Sequence, residues 1–275
     1  MTHRFACMPA VALAAAISAL PGFPPHADAS VRAAENPAVQ VSDLVLASGA
    51  HQRLLYLTPP KPSATLLMLP GGAGDVGIEA DGQLRHADNF VVRTRDWWLH
   101  RGYAVLIPDA LDQRNLRGMR STPAYAAAIG RLVEFARARN PVPVFLIGTS
   151  QGAIAAMNGA ATLGPGRVAG VVLTESVAVL GGSHETVFSA RPQQVRVPAL
   201  VIANRDDACP VAPPSMAPKI AAAMAHAASV QVLYVRGGIA SSADPCSSRS
   251  PHGYDGIATQ VDTAIDAWLR RQLAR

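Results

Sequence analysis

The residues best suited to chemistry are Gly148, Thr149, Ser150, Gln151 and Gly152, a Gly-x-Ser-x-Gly run. The apolar residues Val144 to Ile147 lead into it, and an alanine-rich stretch follows. That pattern reads as a buried strand, a very tight turn and the start of a helix. Such a turn holds its serine in a strained backbone geometry with the hydroxyl projecting above the sheet. Side chains at the two glycines would collide with the neighbouring strand and helix. The helix aims its free N–H groups and the positive end of its dipole at the serine, which suits a nucleophile whose attack creates an oxyanion. A serine hydroxyl stays a poor nucleophile until a base takes its proton, and that base needs a third group to fix its tautomer.

On a doubly wound sheet those partners stand at the carboxyl ends of strands. The apolar run from Ala199 to Ala203 delivers Asp206 and Asp207, and the run ending at Thr174 delivers Glu175. The run from Val230 to Val235 is followed by a loop holding Pro251, His252 and Gly253, just before a final helical pattern. Of the eight histidines, His3 and His26 lie in or beside the N-terminal segment, and His51, His86 and His100 precede the serine. His184 falls in an irregular stretch and His226 near a helix end, where a capping role explains it. His252 is therefore the candidate base. Asp207 is the favoured acid, with Asp206 read as a loop cap and Glu175 as a solvated carboxylate; either is the alternative acid. The order Ser150, Asp207, His252 is the one in which this kind of turn recruits its partners. For the oxyanion, one donor is the backbone N–H of Gln151. The other comes from the loop Gly71, Gly72, Ala73, with Gly72 favoured and Ala73 the alternative. That glycine-rich loop lacks the Lys-Ser/Thr of a phosphate loop, and no helical run begins at once as a dinucleotide fingerprint requires.

The elements that must position these groups follow from periodicity. Residues 43–46 and 53–57 read as a hairpin turned at Ser48, Gly49 and Ala50. Residues 64–69, 103–107, 144–147, 168–174, 199–203 and 230–235 are apolar runs, the mark of strands covered on both faces. Helical patterns fall at 93–101, at 123–139 with Thr122 as N-cap and Pro123 in the first turn, and after Ser150. Two more fall at 214–228 and within 253–273. Strands alternating with helices imply one α/β domain with a mostly parallel sheet between helical layers and an antiparallel hairpin at one edge.

Composition excludes several other classes. The 275 residues are 49% hydrophobic and 16% charged, which is a folded globular chain. Its net charge of +5 comes from 24 basic and 19 acidic residues with no Lys/Arg block, so no nucleic-acid footprint is indicated. Residues 1–29 read as a secretory signal. His3 and Arg4 form the n-region, Ala6 to Leu20 an apolar run too short to span a membrane, and Ala27, Asp28 and Ala29 a small-x-small cleavage site. Residues 30–275 are then the folded domain, exported to the periplasm or secreted, with no stable membrane insertion. Removing the signal leaves Cys209 and Cys246; an even pair in an exported chain points to one disulfide, with two unrelated buried thiols as the alternative. Such a bridge would tie the acid loop to the histidine loop. The sequence carries no signal for oligomeric state.

Taken together, Pro70 to Gly72, Gly148 to Gly152, Asp207 to Cys209, and Cys246 with His252 to Tyr254 give the mature chain a resemblance to the α/β-hydrolase superfamily. It is most similar to exported bacterial members with a dienelactone-hydrolase-like core and no large cap. The resemblance implies an eight-stranded sheet and a two-step acyl-enzyme mechanism with no metal or organic cofactor. One departure is Pro70, where the commoner pattern has histidine before the glycine. The segment 175–197 is too short for a helical cap, so a fairly open site is expected, walled in part by residues 72–89. Trp97 and Trp98 read as core, with a site-lining role as the alternative. The expected reaction is hydrolysis of a small-molecule carboxylic ester. Amide hydrolysis or acyl transfer by the same three residues is the alternative, as is a catalytically silent binding protein.

Overall fold

In the computed structural model, residues 1–3 and 37–275 are described, and residues 37–275 belong to one unit. The expected signal peptide therefore falls on residues outside the described ones, apart from the first three. Eight strands form a single sheet: β1 (Ala38–Val45), β2 (His51–Thr58), β3 (Thr65–Leu69), β4 (Ala104–Pro108), β5 (Val144–Thr149), β6 (Gly170–Thr174), β7 (Ala199–Asn204) and β8 (Val230–Val235). Their order is β1-β2-β4-β3-β5-β6-β7-β8. β1 and β2 are the antiparallel edge, β2 pairs antiparallel with β4, and the remaining pairings are parallel. Every residue of β3 through β7 is buried, which is why these strands read as unbroken apolar runs instead of alternating ones.

Side chains still alternate between the two faces, and each face has its own core. Leu67, Leu69, Leu146 and Val171 pack under α3 (Pro123–Arg139), α4 (Gln151–Leu163) and α5 (Ala217–Ala223). Leu66, Met68, Phe145 and Val172 pack under α1 (Phe90–Arg93), α2 (Arg95–His100) and α6 (Ala258–Leu273). α3 starts where its sequence dictates: Thr122 accepts a hydrogen bond from Tyr125 N–H at 3.2 Å, and Pro123 occupies the first turn.

Several boundaries differ from expectation, β1 among them, which begins at Ala38 and not at 43. The helix expected over 93–101 is two short helices separated at Thr94, whose hydroxyl bonds back to the Phe90 carbonyl. The helix expected over 214–228 is a 3₁₀ turn at Pro214–Met216 followed by α5, which ends where Met224 leaves helical geometry (ψ 49°). Alanines favour helix but do not decide where tertiary packing stops it. β6 begins at Gly170 and not at 168, whereas α6 falls within the expected 253–273. The segment between β6 and β7 holds two 3₁₀ turns, and its Val187, Ala190, Val195 and Val197 join the core beside α4; it forms no cap.

β3 has β4 on one side and β5 on the other, so the chain reverses its direction of travel across the sheet at β3. A crevice opens at the carboxyl ends of strands at such a point. The loop after β3 and the turn after β5 both lie there.

Candidate active site

Ser150 links β5 to α4 with φ 54° and ψ −122°, a conformation that non-glycine residues rarely hold. The two glycines permit it. A Cβ on Gly148 would collide with the Gly152 carbonyl, and a Cβ on Gly152 with the Leu69 carbonyl of β3. The Ser150 N–H is tied to the Thr174 carbonyl at the end of β6, 2.9 Å away. The strained turn is thus wedged between the two neighbouring strands.

His252 sits on a 3₁₀ turn (Pro251–Gly253) beyond β8, capped by Ser250, whose Oγ accepts from His252 N–H at 3.2 Å. The turn is held from two other elements. Asn204, the last residue of β7, donates from Nδ2 to the carbonyls of Gly237 (2.8 Å) and Pro251 (3.0 Å). Arg93 donates to the carbonyls of Asp88, Ser248 and Gly253. The imidazole, only 3% exposed, lies between its two partners: Nδ1 is 2.7 Å from Asp207 Oδ2, and Nε2 is 2.9 Å from Ser150 Oγ. With a carboxylate at Nδ1 the proton resides there, and Nε2 is left to accept from the serine hydroxyl.

The three carboxylates considered for the acid are separated by geometry. Asp207 is buried and bonded to the imidazole, and its Oδ1 accepts from Cys209 N–H at 2.7 Å. Asp206 points the other way, accepting from Gly237 N–H at 2.8 Å and pairing with Arg236, so it caps its loop. Glu175 is not a solvated carboxylate: it is 1% exposed and has a positive φ of 41°. Its Oε1 accepts from Asn204 N–H at 2.6 Å. Burial, and after it the adjoining Asp207, pushes its carboxyl well above the usual range. Cys209 and Cys246 are joined in a disulfide that ties the Asp207 loop to the loop carrying His252.

The loop after β3 turns its carbonyls away and leaves its amides open. The Gly71 carbonyl accepts from Gly74 N–H, the Ala73 carbonyl from Leu116 N–H, and the Gly72 carbonyl from Arg120 Nη2 at 3.0 Å. Among the described residues the N–H groups of Gly72, Ala73 and Gln151 have no acceptor. Two depressions flank Ser150, of about 470 and 230 Å³. Gly72 lines both, whereas Ala73 lines the larger alone, so Gly72 has the better position to meet a group bound at the serine. The loop over residues 72–89 walls the larger depression, as expected; Trp97 and Trp98 do not line either, and Trp98 is core.

Arg120, Glu185, Arg93 and Asn204 escaped the reading of the sequence. Arg120 is buried behind the Gly72 loop. Glu185 accepts from the N–H groups of Gly118, Arg120 and Ser121 and so fixes the segment that carries it. Among the described residues, the cluster with metal-ligand spacing is Glu175, Asp207 and His252, with atoms within 4.8 Å of one another. The 2.7 Å contact between His252 and Asp207 is a hydrogen-bond distance that accommodates a proton, not a cation, between them.

No family model matches the chain, and a search of curated proteins returned no match. Solved structures do resemble it. A dienelactone hydrolase from Anabaena variabilis is 17% identical with a TM-score of 0.61, over 86% of this chain and 98% of that one. An esterase from Pyrococcus furiosus is 12% identical with a TM-score of 0.63, covering 86% and 91%. An α/β serine hydrolase without lid from Xanthomonas campestris is 14% identical with a TM-score of 0.58, covering 86% and 95%. The chain has the α/β-hydrolase fold, without a large cap.

Proposed function

We propose that the chain is a serine hydrolase that cleaves a carboxylic ester through an acyl-enzyme. The observation that carries this is the unbroken hydrogen-bonded line Ser150, His252, Asp207, with open amides beside the serine. Ser150 Oγ attacks the ester carbonyl carbon as His252 Nε2 takes its proton. The carbonyl oxygen becomes an oxyanion, received by the N–H groups of Gln151 and Gly72. Asp207 stabilises the imidazolium, which then returns the proton to the departing alkoxide. Water, deprotonated by His252, releases the acid in the second step. Because His252 must protonate the leaving oxygen, the alcohol portion lies on the side His252 lines. That is the larger depression, with Asp75, Arg85, His86 and Asn89 in its walls. The acyl portion lies in the smaller one, beside Val177 and Val211. The volumes fit small esters with a short acyl group.

Export is part of the same reading. A disulfide persists in oxidising compartments, and the first 29 residues have the pattern of a cleaved signal. N-terminal sequencing of the protein recovered from its producing cell should begin at residue 30; an intact Met1 in the reducing cytoplasm would refute export.

Short p-nitrophenyl esters and a serine-directed phosphonate test the chemistry. The phosphonate should label Ser150, and Ser150→Ala should lower kcat by on the order of 10⁶-fold. Activity surviving in that variant, or labelling elsewhere, would end the proposal.

A further inference from the structure

The line from Ser150 to Asp207 does not end at Asp207. Behind it stands Glu175, delivered by the neighbouring strand β6 and buried at 1% exposure. One of its carboxyl oxygens, an Asp207 oxygen and a His252 nitrogen all lie within 4.8 Å of one another. Two adjoining carboxylates taken out of water cannot both carry charge. The hydrogen bonds decide which is neutral. Asp207 faces two N–H groups, those of Cys209 and of the His252 ring, both of which favour its anion. Glu175 has one, from Asn204 to Oε1, while its Oε2 is buried with no hydrogen-bond partner; the nearby Tyr254 hydroxyl favours the anion, but less than burial and Asp207 oppose it. An acid proton on Oε2 removes that defect, since the resulting O–H has an anionic acceptor next to it. The other groups facing Glu175 are Tyr254, whose hydroxyl also reaches the Ile202 carbonyl, and the imidazole of His252; neither supplies a fixed positive charge. The positive φ at Glu175 means the backbone is held in an unfavourable conformation at the point that aims this side chain.

We propose that Glu175 is a positioning residue: its neutral carboxyl donates a hydrogen bond to the Asp207 carboxylate and fixes the anion that orients His252. This rests on the reading of Ser150, His252 and Asp207 as the reacting line. Burial also pushes the Glu175 carboxyl well above the usual carboxylate range, which agrees with it. A neutral Glu175 also keeps the charge behind His252 at one unit, so that the imidazole is oriented without being pushed toward permanent protonation.

Two measurements test it, the first independent of any activity. In the infrared difference spectrum of wild type minus Glu175→Gln, recorded on the full chain near neutral pH, a protonated-carboxyl C=O band should belong to the wild type. A carboxylate band in its place overturns the proposal. In p-nitrophenyl ester kinetics, Glu175→Gln, which keeps a neutral donor, should hold kcat within about threefold and leave the acid limb of the pH profile unmoved. Movement of that limb by about one unit would mean that a charge had been removed beside His252, and would refute a neutral Glu175. Glu175→Ala should lower kcat roughly tenfold or more at nearly unchanged KM; wild-type kcat in that variant rules out positioning. If Glu175→Ala does not fold, the spectrum and pH profile of Glu175→Gln still decide. A wild type inert toward every ester would instead count against the hydrolase reading, leaving the infrared result to stand by itself.

Discussion

Asp262 is a carboxyl set into the inner face of α6, near Arg93. Burial raises it to about 8 from the ordinary 3.8, with Arg93 opposing the rise. In the folded chain it is a neutral acid, while in the unfolded chain it ionises at its ordinary value. Between those two values the folded state therefore holds a proton that the unfolded state has released. Stability is fully present below the lower value and is lost as pH rises toward the upper one, at up to about 1.4 kcal/mol per pH unit. Asp262→Asn removes the titration, so its melting temperature should exceed that of the wild type more at about pH 8 than at about pH 6. An equal difference at both would show that Asp262 ionises in the fold at no cost. Single residues at the site were legible to different degrees. Ser150 and His252 stood out because their chemistry needs a particular turn and a particular strand end. Glu175 was seen but misjudged, since a glutamate after a strand carries no mark of whether water reaches it.

At the scale of elements, the strands were the easiest to read because both faces of the sheet are covered and the apolar runs are continuous. Helix ends were harder. The alanines from 221 to 228 favour helix throughout, yet the helix stops at Ala223, where Met224 leaves helical geometry. Hidden altogether were the side chains whose partners are backbone groups, since a carbonyl has no residue type to recognise. Arg120 is the chief case, a buried guanidinium tethering the carbonyls of Pro70 and Gly72. Burial pulls the guanidinium below its ordinary range, with Tyr125 and Glu185 opposing that effect. The Pro70 and Gly72 carbonyls belong to the peptide groups on either side of the one that carries the Gly72 N–H, so in the proposed reaction Arg120 steadies that donor from both flanks. Arg120→Met should therefore lower kcat by on the order of 10²-fold, as loss of one oxyanion donor does, with KM little changed. Unchanged turnover would show that the turn between Gly71 and Gly74 holds the peptide without help.

Across the whole molecule, the site is assembled from loops that follow β3, β5, β6, β7 and β8, and none of them alone contains the chemistry. The sheet sets the spacing of those loops, because each strand is locked to its neighbour by its own ladder. The loop after β8 is long, running from Arg236 to the 3₁₀ turn at Pro251, and much of it is exposed, Ile239 at 57%. There the fold adds a covalent tie. The bond between Cys209 and Cys246 closes a segment with a sequence separation of 37, worth about 4 kcal/mol by loop entropy alone. Its pairing was readable from the count of cysteines, and its tie between the Asp207 and His252 loops from their neighbours in the sequence. The exposed stretch from 239 to 245 lies inside the closed segment and is open to proteases. A single cut there divides the backbone without dividing the molecule, because the fragment carrying His252 stays attached through Cys246. Limited proteolysis should then give one species on a non-reducing gel and two after reduction, with hydrolysis persisting in the nicked form until reductant is added. Separation into two fragments before reduction would show that the tie is missing.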